Sequence, residues 1–208
     1  MGFYDRVVLP RILNAAMGMK DIGEERQKAL AEVQGAVLEI GFGSGHNLPY
    51  YPAAVSKVVG VDPSGQSAKL AEARIRGVRF PVEFVELPGE EIAAPDASFD
   101  SAVSTYSLCT IPDPIAALRQ LNRVLKPDGR LYFLEHGRSE DEGVRRWQDR
   151  LNGFQGFICG GCNLNREIDR LIDAAGFEIE RIERYYGRSG PRPMVCLYRG
   201  VAKKRSPE

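Results

Sequence analysis

The stretch VLEIGFGSGHN, from Val37 to Asn47, decides the fold class. Its apolar half is typical of a buried strand, which runs into a glycine-rich turn at the start of a predicted helix. Glycines in such a turn let the backbone approach a ligand closely, here at Gly41, Gly43 and Gly45. Asp62 ends the next apolar run, where a carboxylate can accept both hydroxyls of an adenosine ribose. The pattern predicts an α/β fold with an adenosine-containing ligand.

The rest of the chain alternates apolar runs with helical patterns, which predicts a mostly parallel, doubly wound sheet. Predicted strands cover residues 36–41, 57–62, 82–87, 99–105 and 129–136, and predicted helices cover 66–76, 114–127 and 165–175. Residues 177–186 and 194–202 predict a hairpin at the end of the sheet. We expect a single domain over residues 1–208, with residues 1–34 as an N-terminal helical cap.

Composition excludes several classes of protein. The 208 residues are 43% hydrophobic, and 28 basic residues balance 28 acidic ones, so no cationic field favours nucleic acid. No apolar run reaches the roughly 18 residues of a membrane span, although peripheral membrane contact stays open. Four cysteines without a signal peptide predict a cytoplasmic protein with reduced thiols. The oligomeric state cannot be inferred.

The spacing around the glycines restricts the ligand. His46 stands where a dinucleotide fingerprint requires its third glycine, and no Gly-Lys-Ser/Thr follows as in a phosphate-binding loop. Glu39 adds a carboxylate that would repel a diphosphate but suits a ligand with a cationic amino-acid end. S-adenosylmethionine has an ammonium, a sulfonium and no phosphate, and it is the predicted cofactor.

From Val37 to His136 the chain resembles the class I S-adenosylmethionine-dependent methyltransferases. The resemblance lies in VLEIGFGSG, in GVD and in the block FDSAVSTYSLCTIPDPIAALRQLNRVLKPDGRLYFLEHG. It implies a Rossmann-like seven-stranded sheet, mostly parallel with an antiparallel C-terminal hairpin strand, and a cofactor across the ends of the first four strands. It also implies that Glu90 reads adenine by its side chain and Glu91 by its backbone, while Ser104 lines the methionine side.

Shorter segments resemble the small thiol S-methyltransferases: LCTI, LEH, a following tryptophan, GGCNLNREI and AAGF. This resemblance implies an alkyl thiol as a small-molecule substrate. Those proteins carry a hydrophobic membrane segment at the N-terminus, which this sequence does not match. Phospholipid or small-molecule N- and O-methyltransferases share the same core and remain alternatives. A cofactor-binding regulatory protein without turnover is a second alternative.

Several residues are candidates for the acceptor end of the site. His136 ends the fifth strand and is the predicted catalytic residue, as a base or hydrogen-bond partner of the acceptor. We expect His46 to orient the cofactor loop. The single C-x-x-C pair, Cys159 and Cys162, predicts a structural or substrate-loop role and no metal, because two thiols do not make a zinc site. The segment Phe154–Cys162 predicts an apolar lid, and Tyr4, Arg6 and Met17 to Met19 could close over the cofactor.

Overall fold

The predicted apolar runs form β-strands, and most of these strands pair in parallel. The computed structural model describes residues 9–205, without the side chains of residues 9, 10, 12 and 13. The strands are β1 (Gly35–Ile40), β2 (Val55–Val61), β3 (Val82–Val85), β4 (Phe99–Thr105), β5 (Leu125–His136), β6 (Phe177–Tyr186) and β7 (Cys196–Lys204). They form one sheet in the order β3-β2-β1-β4-β5-β7-β6, with β7 antiparallel to β5 and β6. The predicted seven-stranded mixed sheet is confirmed.

Helices follow most of the strands. Within the described residues the α-helices are α1 (Leu9–Met17), α2 (Lys20–Leu30), α3 (Gly65–Arg76), α4 (Pro114–Val124), α5 (Glu142–Ile158) and α6 (Ile168–Ala174). The first turn of α4 shows how local residues determine where a helix begins. Asp113 caps the helix by accepting a hydrogen bond from the Ala116 N–H at 2.9 Å, and Pro114 occupies the first turn, where its missing donor costs nothing.

Two apolar layers hold the sheet. Val37 packs on one face with Leu30 of α2 and Ala71 of α3, whereas Leu38 packs on the other face with Leu121 of α4. Alternation along the strand produces this division, and each fully buried aliphatic side chain contributes about 1.5–3 kcal/mol to stability. The layers leave the carboxyl edge of β1, β2, β4 and β5 free to carry polar groups.

The predicted helix after the glycine turn is wrong. The chain forms only a 3₁₀ turn, Leu48–Tyr50, because Pro49 and Pro52 lack the N–H groups that an α-helix needs. Two other helix bounds also differ from the prediction. The helix α4 ends at Val124 before Pro127, since the position preceding a proline disfavours helical backbone, and α6 begins at Ile168 rather than residue 165.

The predicted lid is largely helical. Phe154 to Ile158 form the last turns of α5, and only Cys159 to Cys162 follow outside the helix. Asp141 starts this helix by accepting a hydrogen bond from the Val144 N–H at 3.0 Å. The helix continues through Gly156, although glycine in a helix interior is destabilising.

The helix α2 is fastened to the C-terminal hairpin. The carboxylate of Glu25 accepts hydrogen bonds from Arg199 Nη1 at 2.8 Å and from the Tyr185 hydroxyl. At its end, the Glu32 carbonyl accepts one from the Tyr132 hydroxyl at 2.9 Å. Tyr4 and Arg6 lie outside the described residues. That residues 1–34 form a cap on a single domain therefore stays a proposal.

Candidate active site

The glycine loop after β1 has left-handed backbone at all three of its glycines, with φ values of 63°, 54° and 74° at Gly41, Gly43 and Gly45. A Cβ at Gly41 would lie 2.0 Å from the Ser107 hydroxyl oxygen, so only glycine fits between β1 and the loop after β4. A Cβ at Gly43 would meet nothing closer than the Gly41 carbonyl oxygen at 3.8 Å. The loop therefore offers open backbone that a ligand can approach.

Asp62, directly after β2, is tied to this loop. Its carboxylate accepts one hydrogen bond from the Gly43 N–H and one from the Ser64 N–H, both at 2.9 Å. Burial raises the pKa of Asp62, because desolvation disfavours the charged form. Each oxygen keeps a second lone pair, and the side chain lines a large cavity at the strand ends. Asp62 is thus placed to accept hydroxyl groups of a ligand.

Glu39 belongs to a buried polar network. The side chain is 2% exposed and accepts hydrogen bonds from the Tyr51 hydroxyl at 2.6 Å and from Asn47 Nδ2 at 2.8 Å. Burial raises the pKa of Glu39 to about 7. Arg26 Nη1 of α2 completes the network by donating to Asn47 Oδ1 at 2.5 Å and to Thr105 Oγ1 at 2.7 Å. Glu39 is therefore balanced by a cation on the same cavity.

Arg26 is a site residue that sequence reasoning missed. It is 5% exposed, and its Nε has no hydrogen-bond partner in the part of the chain that the structure describes. Its partner Thr105 is 79 positions away along the chain, so no local pattern reveals the contact. A buried guanidinium with a free donor on a cavity wall is suited to bind a carboxylate.

Ser104 does not line the cavity, contrary to the prediction. It is fully buried, and its hydroxyl donates to Glu135 Oε1 at 2.7 Å. Successive side chains of a strand point to opposite faces, so Thr105 reaches the cavity instead. Glu135 also accepts hydrogen bonds from the N–H groups of Ser107 and Leu108, at 3.0 and 3.1 Å. Its role is to hold the loop after β4, and burial raises its pKa to about 7.

His136 lies at the end of β5 and lines the cavity with three cysteines, Cys109, Cys159 and Cys162. The imidazole is 5% exposed; its Nδ1 lies 3.9 Å from the Cys162 sulfur. Its Nε2 is buried without a partner among the described residues. Those residues contain no group of three or more His, Cys, Asp and Glu side chains that could hold a metal ion. His136 is placed to contact an acceptor.

The two glutamates assigned to adenine differ in position. The carboxylate of Glu90 is half-buried and accepts a hydrogen bond from the Asp113 N–H at 3.1 Å. Glu91 is exposed, and its N–H, which the resemblance assigns to adenine, donates to the Pro88 carbonyl at 2.9 Å. Both residues line the cavity, but the Glu91 donor is already used within its own turn.

His46 lies on the cavity wall beside Gly18, between α1 and α2. A Cβ at Gly18 would lie 3.2 Å from the His46 ring. Burial, together with the charges of Arg74 and Arg26, lowers the pKa of His46 to about 4, so the ring is neutral at physiological pH. Asn14 of α1 accepts a hydrogen bond from the Ser44 hydroxyl at 2.7 Å. The helix α1 is therefore anchored to the glycine loop beside His46, which agrees with a loop-orienting role.

One cavity of about 1760 Å³ is lined by most of these groups, but not by Ser104 or Glu135. It runs from the glycine loop and Asp62, under α2, to His136 and the cysteines, and on to the β6–β7 hairpin. This volume exceeds the roughly 300–1,000 Å³ of a typical small-molecule pocket, and so allows two ligands side by side. Met17, Met19, Ile22, Met194 and Leu197 give its walls apolar surface.

Comparison with known proteins identifies the family. A family described as methyltransferase domain matches residues 38–133. Thiol S-methyltransferase TMT1B of Rattus norvegicus is 35% identical over 153 residues, which cover 71% of this chain and 62% of that protein. Thiol S-methyltransferase TMT1A of Homo sapiens is 33% identical over 147 residues, or 68% and 59% of the two chains. The chain belongs to the class I S-adenosylmethionine-dependent methyltransferases.

A solved structure shares the fold. The crystal structure of the YcgJ protein from Bacillus subtilis has a TM-score of 0.68 at 20% identity and covers 90% of this chain and 99% of that one. The predictions of family, fold and cofactor class are confirmed. This methyltransferase spans about six-tenths of the length of the two thiol S-methyltransferases that it matches. Within residues 9–205, none of its helices is long and apolar enough to cross a membrane.

Proposed function

We propose that this methyltransferase transfers the methyl group of S-adenosylmethionine to a small lipophilic thiol. The observation that carries the proposal is the single cavity that joins Gly43 and Asp62 to His136. The first two residues suit an adenosine, and the third suits a nucleophile that must lose a proton. Similarity to two thiol S-methyltransferases over about 70% of the chain supports a thiol as the acceptor.

The charges around the glycine loop fit the amino-acid end of the cofactor. Glu39 and Arg26 lie on the same cavity, joined through Asn47, and a zwitterion has both an ammonium and a carboxylate to offer them. The unpartnered Nε of Arg26 is the donor that a carboxylate would satisfy. Asp62 would accept the ribose hydroxyls, and the open backbone at Gly43 would pass beside the ligand. Glu90 would face adenine.

Methyl transfer from a sulfonium is an in-line displacement, for which the cofactor supplies the electrophilic carbon. The chain has to align the nucleophile, exclude water and accept a proton. A free thiol with a pKa of about 8.5 is only a few per cent ionised at neutral pH. His136 would take this proton at Nε2, the ring nitrogen without a partner among the described residues.

A screen with a radiolabelled methyl donor tests the acceptor. We expect alkyl thiols to be labelled faster than amines, phenols, fatty acids and phospholipids. Exclusive labelling of an amine or a phospholipid would replace the thiol proposal by the N- and O-methyltransferase alternative. If S-adenosylhomocysteine binds but no acceptor is labelled, the regulatory alternative replaces it.

We also propose that the protein works in the cytoplasm and touches membranes peripherally. The four cysteines are free thiols, which suits a reducing compartment. Trp147, Phe154 and Phe157 of α5 are 54%, 60% and 84% exposed, and Arg150 stacks on the Trp147 ring at 5.6 Å. These positions share one face of the helix with Arg146, whose guanidinium pairs with the Glu142 carboxylate at 2.6 Å one turn earlier. Aromatic rings with flanking arginines match the interface of an anionic bilayer.

A further inference from the structure

Three thiols line the acceptor end of the cavity, and methyl transfer as proposed above uses none of them. Cys109 follows β4, whereas Cys159 and Cys162 follow α5. A fourth cysteine, Cys196, is buried on β7 and does not line the cavity. A group of thiols inside a substrate cavity calls for a chemical explanation, since thiols react with oxidised sulfur compounds.

Cys109 and Cys162 are held side by side. The Asn163 N–H donates to the Cys109 carbonyl at 2.8 Å, and Asn163 Nδ2 donates to the same oxygen at 3.0 Å. These bonds bring together the backbones that carry the two thiols, which a disulfide requires. The two thiols also influence each other's pKa, in opposite directions.

The two thiols differ in reactivity. The neighbouring Cys109 thiol lowers the pKa of Cys162, whose sulfur also lies 3.9 Å from His136 Nδ1. Cys109 is 3% exposed, and the Cys162 thiol and burial raise the pKa of Cys109 well above the usual range. An incoming reagent therefore meets a nucleophilic Cys162 first, with Cys109 behind it.

We propose that Cys162 and Cys109 form a dithiol that reduces small organic disulfides, the oxidised form of the acceptor thiol. The Cys162 thiolate attacks one sulfur of R–S–S–R, forms a Cys162–S–S–R mixed disulfide and releases RS⁻. Cys109 gives its proton to solvent or His136, attacks the Cys162 sulfur and releases the second RS⁻. The disulfide gains two electrons, and the protein dithiol loses two. Each chain thus delivers two acceptor thiols into its own cavity.

This proposal rests on the proposed thiol acceptor for the choice of disulfide, but its test needs no cofactor. The reduced protein is freed of reductant, incubated with bis(2-hydroxyethyl) disulfide and measured by intact-protein mass spectrometry. We expect the wild type to lose two hydrogen atoms. Cys109→Ser should instead stop at the mixed disulfide and gain one hydroxyethylthio group, and Cys162→Ser should do neither.

Tryptic mapping identifies the bond. A Cys109–Cys162 disulfide crosslinks the peptides 80–119 and 151–166, whereas a Cys159–Cys162 disulfide stays within peptide 151–166. Cys159→Ser is the matched control and should behave as the wild type. Cys109→Ala, with a thermal melt of each variant, guards against loss of fold. An internal peptide 151–166 disulfide, or reaction of the wild type only after unfolding in urea, would overturn the proposal.

The outcome is separable from that of methyl transfer. Methylation of the reduced thiol is measured in a second assay with excess dithiothreitol, in which all protein thiols stay reduced. If the thiol is not methylated but the wild type still loses two hydrogen atoms, the proposed methyl acceptor is rejected and the dithiol proposal is retained. Normal methylation without a mass shift would reject the dithiol alone.

Discussion

Arg26 and Asp62 should separate two parts of cofactor recognition. The guanidinium of Arg26 has a free Nε, whereas the carboxylate of Asp62 lies beside Gly43 on the glycine loop. We expect Arg26→Gln to weaken binding of S-adenosylhomocysteine by about 1.5–3 kcal/mol, the range for a hydrogen bond to a charged group. Binding of 5′-methylthioadenosine, which lacks the carboxylate, should not change. Calorimetry with both nucleosides measures this.

Asp62→Ala is the matched variant for that experiment. Both nucleosides carry the ribose, so this substitution should weaken both by about 1–3 kcal/mol. Asp128→Ala, at an exposed position of β5, should weaken neither. An equal loss of both nucleosides in Arg26→Gln would show that Arg26 supports the loop and does not bind the carboxylate.

His136→Ala should lower the rate of thiol methylation in a pH-dependent way. If His136 takes the proton of the thiol, the defect is largest below the pKa of the acceptor and shrinks as thiolate forms unaided at higher pH. Rate profiles for the wild type and the variant between about pH 6 and 9 measure the difference. A defect of constant size across the range would assign His136 to positioning only.

At the scale of elements, the sequence predicted those features that neighbouring residues determine. The strand β1, the glycine loop and Asp62 follow each other within a short stretch, and their geometry agrees with the prediction. The helix α5 was not predicted because Gly156, Gly160 and Gly161 in the lid segment favour a loop, while the buried contacts of the helix come from distant parts of the chain. Gln148, for example, donates to the Pro193 carbonyl at 3.2 Å, 45 positions away along the chain. Tertiary contacts of this kind produce no periodic pattern in the sequence.

The exposed face of α5 should bind anionic vesicles. Replacing Phe154 and Phe157 together by serine removes two exposed rings and should lower the bound fraction by at least about tenfold, since burying one phenylalanine contributes about 1.5–3 kcal/mol. Arg150→Glu should reduce binding in a salt-dependent manner. Cosedimentation with phosphatidylserine-containing vesicles measures both.

Arg119→Glu is the matched control for charge, because Arg119 is exposed on α4, away from α5. It should bind vesicles as the wild type does. Equal binding by the double serine variant and the wild type would contradict a membrane role for this face. Dimer dissociation in the variant, seen by sedimentation, would assign the face to a second copy of the chain.

At the scale of the whole molecule, two buried carboxyl groups should control stability against pH. Burial raises the pKa of both Glu39 and Glu135 from 4.5 to about 7. Between these pH values the folded state binds more protons than the unfolded state, so the free energy of unfolding falls as pH rises. Each group opposes folding by up to about 3 kcal/mol above pH 7. Thermal melts of the unliganded protein from pH 5 to 8 should show this decline.

Glu39→Gln should remove part of the decline. The amide keeps an acceptor for Asn47 but cannot ionise, so the variant should gain stability relative to the wild type as pH rises and lose that advantage toward pH 5. Glu178→Gln, exposed on β6, should leave the slope unchanged. A slope in Glu39→Gln identical to that of the wild type would place the proton uptake elsewhere.

The contact between α2 and the hairpin has a consequence for synthesis. Glu25 of α2 bonds to Tyr185 and Arg199 of the hairpin, so this side of the cavity combines a segment that is translated early with one that is translated late. While β7 is still inside the ribosome, the glycine loop and Asp62 have emerged, but the hairpin side of the cavity has not formed. The nascent chain therefore exposes the acceptor side of the cavity to solvent until β7 is released, and chaperones that shield apolar surface can act during that interval.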